Sequence, residues 1–172
     1  MHKDLIGKNA LITGAGKKAG IGFAVATKLA DSGVNIALAD LAAADKNDPL
    51  LTSNKSQLIR LAQKLGETYK VRTTALDLDV TDPESVQKMA ALLAEEFSNI
   101  HILFNNAGTV FGVPNTIHTY DDNAWMKTID VNLHGVFRVS KAVVPLMLKN
   151  GGSIINAASQ AAKKPPLSLI HI

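Results

Sequence analysis

The 172 residues are 47% hydrophobic, 19% charged and 5% aromatic, with 12 Gly, 6 Pro and no Cys. That length and composition predict one compact domain and exclude disordered or low-complexity chains, disulfide scaffolds, thiolate zinc sites and cysteine nucleophiles. Eighteen basic residues against fifteen acidic ones give a net charge of +3, with no basic run longer than Lys17 and Lys18 or Lys163 and Lys164; nucleic-acid binders concentrate such charge, so no nucleic-acid partner is expected. The N-terminus lacks the apolar core of a signal peptide, and no apolar run approaches the roughly 18–20 residues of a membrane span. A soluble, cytoplasmic protein without a membrane partner is the expectation.

Residues 9–13 (NALIT) read as a buried strand, followed by a glycine-rich turn and a helix over 21–32 that Gly33 stops. Residues 34–39 form a second apolar run ending at Asp40, and 71–76 a third, running into Asp77, Leu78, Asp79 and Val80. Between them, Leu58, Leu61, Ala62 and Leu65 fall at helical spacing over 56–65, with Gly66 as the predicted stop. Thr81 and Asp82 offer helix caps, Pro83 suits a first helical position, and Val86, Met89, Ala90, Leu93 and Phe97 make one apolar stripe. Residues 100–104 read as a fourth strand, 122–148 as mostly helical, and 153–157 as a fifth strand. Continuous apolar strands alternating with helices predict an α/β fold, a doubly wound parallel sheet covered on both faces.

The first turn reads Thr13-Gly14-Ala15-Gly16-Lys17-Lys18-Ala19-Gly20-Ile21-Gly22. In an open parallel sheet this position receives a pyrophosphate. The backbone must approach the phosphates without a Cβ in the way, and the helix behind supplies free N–H groups. A glycine pattern alone also suits an ordinary turn, and Asp40 alone a solvated loop. Asp40 stands 18 residues past Gly22, where a carboxylate accepts ribose hydroxyls and repels a 2′-phosphate. Strand, glycine turn, helix, strand and acid in that order favour nucleotide binding.

The TG…GIG turn, Asp79 and Val80, the stretch Asn105-Asn106-Ala107-Gly108, Asn132 in VNLHGVF, and GGSIINAAS resemble, together and in order, the short-chain dehydrogenase/reductase family. The resemblance covers the chain from about Gly7 to Ser159. It implies a Rossmann-type three-layer αβα domain and an NAD(P)-dependent oxidoreductase that interconverts a secondary alcohol and a ketone, as a homo-oligomer. Gly14, Gly20, Ile21 and Gly22 are then similar to the pyrophosphate turn and Asp40 to the ribose carboxylate. Asp79 and Val80 resemble the pair beside the adenine, and Asn106, Ala107 and Gly108 the motif along the cofactor. Ser159 resembles the serine that orients the substrate oxygen, and Asn132 the asparagine of the proton relay. No metal site is implied.

Two departures stand out. Gly14 and Gly20 enclose five residues where the family commonly has three, and Lys17 or Lys18 within them would suit NADP. The carboxylate of Asp40 opposes a 2′-phosphate directly, so NAD is favoured. The stretch between Asp40 and Asp79 is also long, its excess lying in residues 41–54, and resembles the insertion of a mycofactocin-associated NAD-dependent branch. An exposed loop of no consequence is the alternative.

The family's base is a tyrosine in Tyr-x-x-x-Lys about 13 residues after the serine. Residue 172 is Ile, and neither Tyr69 nor Tyr120 stands in that context. Residues 167–172 read LSLIHI, which is what CTG TCT CTT ATA CAC ATC would encode, a string that matches a transposon-end sequencing adapter. The expectation is therefore a domain spanning 1–166, incomplete at its C-terminus against about 250 residues for such a domain, and a non-native tail at 167–172. Some relatives carry a His before the Tyr, so a native His171 stays open. Such a fragment is expected to be inactive, with a non-catalytic NAD-binding module as the alternative.

Overall fold

A computed structural model describes residues 3–41 and 54–159. The body of the 41–54 excursion and the 167–172 tail lie outside these residues. Five parallel strands, β1 (Asn9–Thr13), β2 (Asn35–Asp40), β3 (Thr73–Asp77), β4 (Ile102–Asn105) and β5 (Ser153–Asn156), lie in the order β3-β2-β1-β4-β5. The order reverses between β1 and β4, which creates a crevice at their C-terminal ends. This is the expected Rossmann-like α/β sheet.

Helices α1 (Ile21–Asp31) and α2 (Lys55–Tyr69) cover one face; α3 (Pro83–Glu96) and α5 (Val136–Val143) cover the other. The strand period of two divides the apolar side chains between them. Ala10, Ile12, Ile36 and Leu38 pack toward α1 and α2, while Leu11, Ala37, Ala39 and Leu103 pack toward α3 and α5. Because both faces are covered, every residue of β1 is buried. Helix α4 (Asp122–Ile129) passes through a π-helical stretch (Asp130–Gly135) into α5, within the helical region expected over 122–148.

Most element boundaries fall within two residues of expectation. Gly33, at φ +83°, ends the α1 turn as predicted: its N–H donates to Ala30 O, and that of Val34 to Leu29 O. Gly66 does not stop α2. The helix runs on to Tyr69, whose ring packs on the core, and ends at Lys70 in the left-handed conformation. Gly66 serves close packing instead, since a Cβ there would stand 2.8 Å from Thr73 Oγ1.

Candidate functional site

A cavity of about 590 Å³ opens at the β1–β4 crevice, within the size range of small-molecule sites. Nine of the ten residues with a predicted cofactor role line it: Gly14, Gly20, Ile21, Asp40, Asp79, Val80, Asn106, Ala107 and Gly108. They come from four separate strand ends, which only the folded sheet brings together. The tenth, Gly22, sits behind the wall. A Cβ there would stand 2.7 Å from both Asn106 Nδ2 and Gly14 O, so its missing side chain lets the turn pack on β4.

A latch across the switch point shapes the crevice. Thr13 Oγ1 accepts the N–H groups of Asn106 and Ala107, each at 3.0 Å, and Asn106 Nδ2 donates to Thr13 O (3.1 Å) and Gly14 O (2.9 Å). Gly14 adopts φ +64°, and a Cβ would lie 2.7 Å from Ala107 Cα. This cradle therefore admits backbone but no side chain. Helix α1 begins at Gly20 without a side-chain cap, whereas α2, α3 and α4 are capped by Asn54, Asp82 and Asp121. An uncapped helix start beside a glycine cradle suits an anion.

Asp40 is 8% exposed. Its Oδ2 accepts the Gly16 N–H at 2.5 Å and its Oδ1 the Leu41 N–H at 2.8 Å. Burial pushes its carboxyl above the ordinary carboxylate range, and the two backbone donors only partly offset this. Asp79 Oδ1 takes the Thr81 N–H and hydroxyl, shaping the rim after β3. Across the cavity, Asp130 accepts Arg138 Nη2 at 2.8 Å, and this guanidinium holds its carboxyl below the ordinary range. Lys17 lines the cavity, whereas Lys18 is not among its lining residues.

Asn132 and Ser159 are not among the lining residues. Asn132 sits on the π-helical stretch, its Oδ1 accepting Thr109 N–H (3.0 Å) and its Nδ2 donating to Thr109 O (2.6 Å). It thereby pins the loop beyond Gly108, where a Cβ would stand 2.8 Å from Asn132 Oδ1. Ser159 follows β5 and is exposed. The strand before it is tied inward by Asn105, whose Nδ2 donates to Asn156 Oδ1 (2.9 Å) and Ser140 Oγ (3.1 Å). Neither tyrosine stands free to act as a base beside Ser159 in this fold: Tyr120 donates its hydroxyl to Phe111 O, and Tyr69 packs on the core at the end of α2.

Sequence reading missed Asp130, Lys127 and Thr109 in the lining and the brace from Gln57 to Gly16 O. Each depends on long-range placement and carries no local pattern. Among the described residues no group of His, Cys, Asp and Glu is arranged to hold a metal, and no helix is long and apolar enough to cross a membrane.

A family profile described as short chain dehydrogenase matches residues 8–171. The chain is 38% identical over 159 residues to D-threitol dehydrogenase of Mycolicibacterium smegmatis, covering 92% of this chain and 55% of that protein. Among solved structures, carveol dehydrogenase of Mycobacterium avium in complex with NAD aligns with TM-score 0.82 at 31% identity, over 94% of this chain and 57% of that one. L-sorbose reductase of Gluconobacter frateurii complexed with NADPH and L-sorbose gives TM-score 0.82 at 30% identity, over 96% and 57%. The chain thus spans little more than half the length of each of these proteins.

Proposed function

The chain belongs to the short-chain dehydrogenase family, and on that premise we propose that it forms the cofactor-holding part of an NAD-dependent oxidoreductase that interconverts a secondary alcohol and a ketone. The observation that carries this reading is the cavity at the strand-order switch, walled by a glycine cradle and the buried Asp40. When bound, the nicotinamide supplies the acceptor or donor of hydride. This chain's residues do the rest of the holding. The Gly14–Gly20 turn and the uncapped start of α1 take the pyrophosphate. Each Asp40 oxygen keeps a lone pair for a ribose hydroxyl beside the backbone donor it already accepts. Asp79 and Val80 meet the adenine, and Asn106, Ala107 and Gly108 flank the ring-bearing end.

NAD is preferred over NADP because a 2′-phosphate would approach the Asp40 carboxylate in a site with little water to screen the repulsion. Lys17, on the same wall, is the residue that would favour NADP. Ser159 orients the substrate oxygen, a small-molecule alcohol or ketone, and Asn132 holds the relay end of the site. The base of such a reaction is a tyrosine in a Tyr-x-x-x-Lys context, and neither tyrosine of these 172 residues stands in one. Absence of cysteine suits a reducing cytoplasm. Exposed Trp125, Met126, Leu133 and Phe137 on α4 to α5 support a homo-oligomer.

Titration of the 172-residue chain with NAD and NADP tests the proposal. Saturable binding with NAD the tighter of the two is expected; equal or tighter NADP binding contradicts the preference, and no binding contradicts the site. The absence of the tyrosine–lysine pair favours a second reading, a non-catalytic NAD-binding module. Alcohol oxidation by the full reading frame, recovered from the genome, would exclude it.

A further inference from the structure

The turn between β1 and α1 has two unlike halves. Ala15 and Gly16 are buried; Lys17, Lys18 and Ala19 are exposed, and the Gly20 N–H closes them into a tight reversal on Lys17 O at 2.8 Å. The exposed tip therefore pivots on the peptide groups of Gly16. One of these, the N–H, is held by Asp40. The other, the carbonyl, accepts Nε2 of Gln57 at 3.1 Å.

Gln57 stands in the first turn of α2, 41 residues further along the chain. Its own N–H is taken by the cap residue Asn54 at 2.8 Å, which sets the side chain at the height of the turn. Helix α2 is thus capped without any help from the Gln57 carboxamide. Nor does Gln57 line the cavity. Its bond to Gly16 has one structural consequence: it holds the peptide that follows the Gly16 Cα, as Asp40 holds the peptide that precedes it, and so aims the tip, with Lys17, along the cavity wall.

We propose that Gln57 is a positioning residue for the ADP moiety of the dinucleotide, acting through the Gly16 carbonyl. The assignment rests on the reading of the crevice as a nicotinamide-dinucleotide site. Losing the donor lets the part-buried Gly16 carbonyl turn to water in the unliganded chain and leaves the turn held from one side, so the loop must be reordered each time a ligand binds.

The test is a titration of the 172-residue chain and its Gln57→Glu and Gln57→Met variants with NAD and, separately, ADP. Both variants keep the side-chain length and remove the donor. Each is expected to weaken NAD and ADP by the same factor, roughly 5- to 20-fold, with the thermal midpoint of the unliganded chain nearly unchanged. A lowered midpoint with unaltered affinities in the folded protein would assign Gln57 a purely structural role and overturn the proposal. Amide exchange on the wild-type chain gives a check independent of substitutions. NAD should slow exchange at residues 14–20 and 55–58 together; protection of the turn alone contradicts the assignment. A wild-type chain that binds neither ligand overturns the dinucleotide reading itself, whereas binding with equal affinity in all three chains overturns only the role of Gln57.

Discussion

The two sides of the sheet's switch point are finished to different degrees. On the β1–β2 side, every strand residue but Asn35 is buried, the turn is tied from two directions, and Asp40 is 8% exposed. On the β5 side no strand residue is buried; Ile154 and Ile155 are each 43% exposed, and Phe137 on α5 is 65% exposed. Nothing in amino-acid type accounts for the contrast, because Ile154 and Ile155 are as apolar as Ile12 and Leu38. Coverage does. The described residues place helices over β1 and β2 on both faces, and place little over β5. A parallel strand with continuous apolar residues is built to be covered. The comparison teaches that, among the described residues, the β1–β2 side of the crevice is fully packed while the β5 edge is left open to covering.

The sharpest way to break the crevice side is Gly14→Ala. The left-handed backbone alone costs about 1–3 kcal/mol in a residue with a Cβ, and the contact with Ala107 adds to that. Loss of measurable NAD binding, with a clear drop in denaturation midpoint, is the expected result. Asn106→Ala removes both donors that bridge to Thr13 and Gly14 and should destabilise the chain by about 1–3 kcal/mol, read by urea unfolding.

Asp40→Asn should weaken NAD roughly tenfold and narrow the gap to NADP. The pH dependence follows from the same carboxyl. Its folded pKa is raised, so the folded chain binds this proton more tightly than the unfolded chain. Asp40 therefore costs stability above its folded value and regains it as the pH falls toward the ordinary carboxylate value. Asp130 has the opposite sign: its depressed pKa contributes stability above the ordinary value, lost as the pH falls through the folded one. NAD affinity in wild type should thus decline in mild acid before global stability does, and the decline should be absent in Asp40→Asn. The smallest effect belongs to the other side. Ile155→Lys or Phe137→Glu should change stability by no more than about 0.5 kcal/mol and leave NAD affinity alone, while reducing self-association in light scattering.

Much of the crevice was legible because its determinants are local. Glycines in a turn, an acid closing an apolar strand and alternating element types are written in neighbouring residues. Gly66 was misread for the opposite reason: glycine normally ends a helix, and here the side chain of Thr73 excludes a Cβ while Tyr69 packs well enough to extend α2. The double tie on Gly16 was invisible, since Asp40 and Gln57 reach it across 24 and 41 residues. The π-helical stretch that carries Asn132 has no pattern separating it from an ordinary helix.

The central proposal is that this chain holds the cofactor without the Tyr-x-x-x-Lys pair that would use it. The direct measurement is on one preparation of the 172-residue chain: the dissociation constant for NAD, and NADH formation by absorbance with a panel of secondary alcohols. Saturable binding with no alcohol-dependent NADH is predicted. Steady turnover, or no binding at all, would contradict the account.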